Sequence, residues 1–261
     1  MSEPVELDQK ELRYRARSWM VEAAQISKDS FGISGVEFKS DGSVVTDVDR
    51  KVEELFRGHI QGLYPTHRIL GEEYGIISGG KRDSDSPVWI IDPIDGTESY
   101  STEIPTYALS LACYHEGKCL YSIVSLPFVN RILEFYSDSV WVDGKSLDRR
   151  SLPLTTILAS SNFYRHFQVG ERNWSIRCLG SFCFHAGYLV LGLCQLVLTT
   201  KASAWDLAGL YPMLISEGFC IYDATGKQIS PDVGSTLKGI SKPFLICEES
   251  QKERFLGAIK F

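Results

Sequence analysis

Hydrophobic residues recur along this chain in two rhythms, one helical and one extended, and each predicts its own elements. Between residues 7 and 27, Leu12, Ala16, Trp19, Met20, Ala23 and Ile26 return at three- and four-residue steps. That spacing predicts an amphipathic helix that stops before Phe31 and Gly32. Val48, Val52, Leu55, Phe56 and Ile60 repeat it on a second helix, with Thr46 placed as its N-cap and Asp49 at its third position. Residues 36–45 between them hold two short strand-like pieces around Asp41-Gly42. The extended rhythm follows in residues 68–70, 88–91, 107–115, 120–126, 132–136 and 140–142, and Glu116-Gly117-Lys118 joins two of these runs as antiparallel neighbours.

From Leu154 the order changes. Residues 156–161 and 196–199 read as strands, and Gly180-Ser181 opens a helix running to about Cys194. A last helix starts at Ala204-Trp205-Asp206, is interrupted by Pro212 and stops at Glu217-Gly218, with Leu207, Leu210, Leu214 and Ile215 as its buried stripe. The pattern predicts an α+β protein in two halves. Residues 1–150 carry helices and a mostly antiparallel sheet, and residues 151–261 carry a mixed α/β part.

Composition narrows the partners. A chain of 261 residues with 44% hydrophobic and 23% charged side chains suits a globular protein of one large or two closely packed domains. The net charge of −6, with no basic run longer than Arg149-Arg150, argues against a nucleic-acid surface. Residues 1–17 are charged and lack an apolar leader segment, and the longest apolar run, residues 188–198, is too short to span a bilayer. The expectation is a cytoplasmic protein with no membrane contact. Seven cysteines without a Cys-x-x-Cys pair read as buried free thiols. Residues 75–86, rich in Gly, Ser, Asp and Lys, read as a loop beside a site.

The chemistry gathers in Trp89-Ile90-Ile91-Asp92-Pro93-Ile94-Asp95-Gly96-Thr97-Glu98. An apolar strand runs straight into two carboxylates, and the reading ends that strand where the carboxylates begin. Pro93 biases Asp92 to an extended conformation, so that Asp92, the Ile94 carbonyl and Asp95 face one space. Hard oxygen donors of this kind suit Mg2+. Gly96-Thr97 adds backbone N–H groups at a turn, where a phosphate oxygen can be held. Read alone, the motif fits a surface Asp-Gly turn equally well. Asp47 and Asp49 are most simply first-turn helix acids, Glu72-Glu73 a solvated turn and Asp206 a helix N-cap.

Gly71-Glu72-Glu73, the Asp92 to Thr97 motif and Trp205-Asp206-Leu207-Ala208-Gly209 stand in an order and spacing that resemble the inositol monophosphatase-like family of metal-dependent, lithium-sensitive sugar and polyol phosphatases. Phe38-Lys39-Ser40 and Val45-Thr46-Asp47-Val48-Asp49 look like that family's N-terminal lysine and its threonine-aspartate helix start. The resemblance implies an alternating αβαβα layered sandwich, commonly a homodimer. It implies that Glu72, Asp92, the Ile94 carbonyl, Asp95 and Asp206 bind two to three Mg2+, with Mn2+ as a substitute. It further implies that Glu72, Thr97 and Asp49 form the catalytic set, that Gly96 and Thr97 hold phosphate, and that Lys39 and Glu73 support them. Glu98, Ser181 and Thr199 fall on the substrate side.

The implied substrate is a small phosphomonoester such as an inositol 1-phosphate-like polyol or sugar phosphate. Thr199 stands where family inositol phosphatases carry a glutamate, seven residues before Asp206, which weakens the inositol reading. Glu98-Ser99-Tyr100 looks more like the histidinol-phosphate phosphatase version, with an acid in place of its base. Fructose 1,6-bisphosphate and 3′-phosphoadenosine 5′-phosphate are further family substrates. A reading of another class is a non-catalytic, metal-binding regulatory protein.

Overall fold

The computed structural model describes residues 8–77, 86–151, 155–170 and 174–260. The helical periodicity of the N-terminal region becomes α1 (Gln9–Asp29), the hairpin of β1 (Val36–Phe38) and β2 (Val44–Thr46), and α2 (Asp47–Leu63). Next come β3 (Arg68–Gly71), β4 (Gly75–Ile77), β5 (Val88–Asp95), the short α3 (Thr97–Ser101), β6 (Ala108–His115), β7 (Lys118–Leu126), β8 (Arg131–Tyr136), β9 (Ser139–Val142) and β10 (Lys145–Ser146). These strands form one sheet in the order β10-β9-β8-β7-β6-β5-β3-β4. It is antiparallel throughout except that β3 runs parallel to β5.

The rest of the chain supplies β11 (Thr156–Ala159), β12 (Gln168–Val169), β13 (Ser175–Arg177), α4 (Phe182–Val190), β14 (Leu196–Thr199) and α5 (Ala204–Ser216). It ends with β15 (Phe219–Asp223), β16 (Gln228–Ile229), α6 (Val233–Thr236), β17 (Phe244–Glu248), α7 (Lys252–Leu256) and β18 (Ile259–Lys260). A second sheet runs β13-β11-β14-β17-β15-β16, parallel among its first three strands and antiparallel beyond them.

Alternation along the strands builds the layers. On β5, Trp89 and Ile91 join Leu12, Met20, Val52 and Phe56 of α1 and α2 in one core, while Val88 and Ile90 face a second core with α4 and α5. On β14, Val197 belongs to that second core, while Leu196 and Leu198 turn to a third, which holds Phe255 of α7. Helices, sheet, helices, sheet and helix therefore alternate, because each sheet is apolar on both faces and each face must be covered. Trp89, Ile90 and Ile91 are all fully buried. At about 1.5–3 kcal/mol per buried apolar side chain, they anchor the segment that delivers the acids.

Three boundaries differ from the sequence reading. β5 does not end at Asp92 but runs to Asp95, with Asp92 opposite Ser110, Asp95 opposite Ala108 and a register shift between them. The irregularity accommodates Pro93, which has no ladder N–H to give. Residues 75–77 of the expected loop are strand β4, paired antiparallel with β3, while residues 78–85 lie outside the described residues. Helix α4 stops at Val190 rather than near Cys194, where Gly192 takes a positive φ of 72°. Among the described residues no helix is long and apolar enough to cross a membrane.

Candidate active site

Both carboxylates of the β5 motif come from the buried end of that strand, and α5 brings the third. Oxygen atoms of Asp92, Asp95 and Asp206 all lie within 4.8 Å of one another. Asp206 is not the N-cap of α5. Ser203 occupies that place, and Asp206 sits at the third helical position, where its Oδ2 accepts the Ser203 N–H at 2.6 Å. The capping geometry thus aims a carboxylate that a cap position would have pointed elsewhere. Asp95 Oδ2 accepts the Ser181 hydroxyl at 2.6 Å and the Cys183 N–H, so it is held at the N-terminus of α4. Ser181, expected on the substrate side, is 2% exposed, caps α4 through Phe184 N–H and spends its proton on Asp95.

Asp92 is different. It is fully buried, and neither of its oxygens has a hydrogen-bond donor. It faces the Asp206 carboxyl, and only a proton or a cation between them would join the two. An ionised carboxylate left so costs several kcal/mol. Two orphaned oxygens beside two further carboxylates and the Ile94 carbonyl are a donor set of the hard-oxygen kind, and it fits a divalent cation.

Glu72 and Glu73 follow β3 and are not a solvated turn. Lys39 Nζ donates to Glu72 Oε1 at 3.0 Å and to Glu73 Oε1 at 2.7 Å. Burial works to lower the Lys39 pKa, but the two glutamates outweigh it and the net shift is upward. The turn itself is fixed from beneath by Glu53 of α2, whose Oε2 accepts the Glu73 N–H at 2.8 Å and whose Oε1 accepts the Tyr74 N–H at 3.2 Å. Arg57 pairs with that buried carboxylate at 2.7 Å. The sequence reading missed Glu53 and Arg57. On a helix they look like an ordinary surface pair at four-residue spacing, and the only signal was their place beside Val52 and Phe56 on the apolar stripe.

Asp49 completes the predicted box at α2: its Oδ2 accepts the Thr46 N–H at 2.8 Å and the Thr46 hydroxyl. Its other oxygen lies 3.0 Å from Thr97 Oγ1, which is also 2.9 Å from the Ile94 carbonyl. Gly96, with φ 93°, makes the turn between β5 and α3. A Cβ there would come within 2.9 Å of Ser181 Cβ and 3.1 Å of the Gly180 carbonyl, so glycine is required by both backbone and space.

The acids raise one another's pKa. Burial comes first for Asp92, which is pushed well above the usual carboxylate range, with Glu72, Asp95 and Asp206 adding repulsion. Asp206 is pushed up to about 7 by burial and then by Asp95. Asp49 is pushed up to about 6 by burial, against the hydrogen bonds from Thr46. Asp95 and Glu72 shift upward for the same first reason.

The other two residues of the expected substrate side are Thr199 and Glu98. Thr199 is 3% exposed and donates its hydroxyl to the Lys201 carbonyl at 3.1 Å. Glu98 is exposed in the first turn of α3.

Comparison with known proteins gives the family and the fold. A relative from Thermotoga maritima named fructose-1,6-bisphosphatase/inositol-1-monophosphatase is 28% identical over 71% of this chain and 73% of its own. A histidinol-phosphatase from Chlorobaculum parvum is 25% identical over 79% of this chain and 83% of its own. A solved IMPase/NADP phosphatase, complexed with Mg2+ and phosphate, superposes with a TM-score of 0.76 over 95% of each chain at 22% identity. The model of the inositol monophosphatase family matches residues 8–259, and the chain belongs to that family, whose members are phosphatases that hydrolyse phosphomonoesters.

Proposed function

We propose that this protein is a Mg2+-dependent phosphomonoesterase for a small polyol or sugar phosphate. The observation that carries the reading is the buried Asp92 carboxylate, with no donor on either oxygen, among Asp95 and Asp206. Glu72, Asp92, the Ile94 carbonyl, Asp95 and Asp206 hold two to three Mg2+, or Mn2+ in its place. When bound, the metal reverses the sign of a cleft that would otherwise repel a phosphate dianion, and it offsets charge on the leaving oxygen.

The chain's own residues do the rest. Thr97, held by Asp49, and Glu72 orient the attacking water, with Asp49 positioned to take up charge through the shared hydroxyl. The N–H groups of Gly96 and Thr97 open α3 without intrahelical partners and hold the phosphate oxygens. No side-chain nucleophile is needed, because a positioned phosphoryl group is displaced directly and in line. Exposed Glu98 lies on the leaving-group side, where it hydrogen-bonds polyol hydroxyls or meets a substrate amine. Lys39 and Glu73 tune the charge and position of Glu72. Thr199 contributes wall rather than a polar handle, in keeping with its engaged hydroxyl. The proposal includes inhibition by Li+ and a cytoplasmic homodimer, whose subunit number light scattering reads.

Phosphate release is the test, measured with Mg2+ and with chelator on inositol 1-phosphate, histidinol phosphate, fructose 1,6-bisphosphate and 3′-phosphoadenosine 5′-phosphate. Asp92→Asn serves as blank. Chelator-sensitive turnover of a polyol or sugar phosphate supports the reading. A lead for histidinol phosphate that Glu98→Gln abolishes would favour the amine-bearing substrate instead. Silence on all four without Mg2+ binding would favour the non-catalytic regulatory reading.

A further inference from the structure

Strand β14 begins beside a basic cluster. Thr199 is the last residue of β14, whereas Gln195, just before its first, lines a cavity of about 430 Å3 together with Arg149, Arg150, Phe219, Glu248 and Arg254. Three guanidinium groups face one carboxylate there, leaving two positive charges in excess on a chain whose net charge is −6. The groups come from four segments: the crossing between the sheets, the entry to β14, the start of β15, and the end of β17 with α7. Only folding assembles them.

Part of this wall is prebuilt. Arg149 stacks over the Phe219 ring at 4.4 Å, pairs with Glu248 and donates to the Glu217 carbonyl at 3.5 Å. Arg254 Nη1 donates to Gln251 Oε1 at 3.0 Å and to Gln195 Oε1 at 3.5 Å, both neutral partners, and it makes no ion pair among the described residues. Arg150 is exposed, and its side chain makes no ion pair among the described residues, while its backbone N–H is fixed to the Leu191 carbonyl at 3.3 Å. The backbones cross so closely that a Cβ on Gly192 would lie 1.9 Å from the Arg150 carbonyl oxygen. Guanidinium forks match the tetrahedral, multiply charged oxygens of phosphate better than a single carboxylate. The volume is that of a small-molecule site.

We infer that this cavity binds a small anion bearing phosphate groups, at a site separate from the catalytic cleft. The two sites have opposite requirements: without metal, the carboxylate cluster repels anions and the arginine cavity still attracts them.

Inorganic pyrophosphate is the probe, titrated by calorimetry into the full chain in EDTA at about 0.1 M NaCl. The expected result is one saturable site in the wild type. Arg150→Gln with Arg254→Gln weakens it at least tenfold and leaves Mg2+-dependent phosphate release unchanged. Glu248→Gln, which frees Arg149, tightens it severalfold, a gain that misfolding does not produce. No saturable binding to the wild type, or wild-type binding by the double variant, overturns the inference. Neither result bears on the phosphatase reading, since the calorimetry is run in EDTA.

Discussion

Thr97 Oγ1 stands 3.0 Å from Asp49 Oδ1, so the residue that closes the capping box of α2 also holds the hydroxyl at the head of α3. One carboxylate with two oxygens ties a helix start to the turn that follows β5. Local stability and site geometry are therefore coupled at Asp49.

Thr97→Val removes that hydroxyl and little packing. It should lower kcat about a hundredfold, the usual scale for a lost positioning or proton-transfer group, with Tm nearly unchanged. Asp49→Ala should lower both kcat and stability, the latter by the ~1 kcal/mol of a lost cap. In the double variant the kcat losses should not add. Additive losses would show that the two residues act independently.

Asp92→Asn should abolish Mg2+ binding and turnover while raising the melting temperature of the metal-free protein. The substitution removes a buried carboxyl whose ionised form has no donor and is opposed by four acidic neighbours, Glu72, Asp95, Asp206 and Asp49. Relief of ~1 kcal/mol corresponds to about 2–4 °C in a chain of this size. Melting in EDTA reads it, and a metal-free variant less stable than wild type would contradict the account of the cluster.

The pH dependence of metal stabilisation has a definite sign. Burial and then neighbouring acids raise Asp206 to about 7, and burial raises Asp49 to about 6, both above the range of an unfolded carboxyl. The metal-free fold therefore holds more protons than the unfolded chain between about pH 4 and pH 7, and it loses stability as pH rises through that window. His67 and His185 act in the opposite sense. Each accepts an N–H on a ring nitrogen, and each is lowered by burial to about 4, so their contribution is lost as pH falls from 6.5. Comparing Tm with and without Mg2+ at each pH cancels the histidines. The gain from saturating Mg2+ should be larger at about pH 7.5 than at about pH 5.5; an equal or reversed gain would count against a carboxylate-bound metal.

Gly71→Ala should be disproportionately harmful for so small a change. A Cβ at Gly71 would lie 2.0 Å from Glu53 Oε1, the atom that pairs with Arg57 and receives the Tyr74 N–H. Displacing Glu53 leaves buried Arg57 and two partly buried N–H groups short of a partner, a loss of about 3–5 kcal/mol by the measure of broken buried pairs. Chemical denaturation should show it, along with weaker Mg2+ binding through the loosened Glu72-Glu73 turn. A loss under 1 kcal/mol would mean that the glutamate re-seats without cost.

The capping box at Thr46 and Asp49, the helical stripes and the strand run into Asp92 were legible along the chain because each depends on neighbours within a few residues. The three acidic motifs were legible too, but only as a resemblance: spacing alone fitted a solvated turn or a cap as well as a metal site. Ser203, rather than Asp206, as the cap of α5 was misread because both residue types cap helices, and one turn of register separates them.

What the sequence determined by itself is the set of local elements and the donor chemistry, since periodicity, turn residues and hard oxygen ligands are properties of short stretches. Tertiary structure decided which donors meet. Glu53 reaching under the Glu72-Glu73 turn, Ser181 and the Cys183 N–H closing on Asp95, and the arginines gathered at the far end of β14 all join segments distant in the chain. Those contacts follow from how two sheets and their helices bury both faces of each sheet, a condition on the whole molecule that no window of sequence contains.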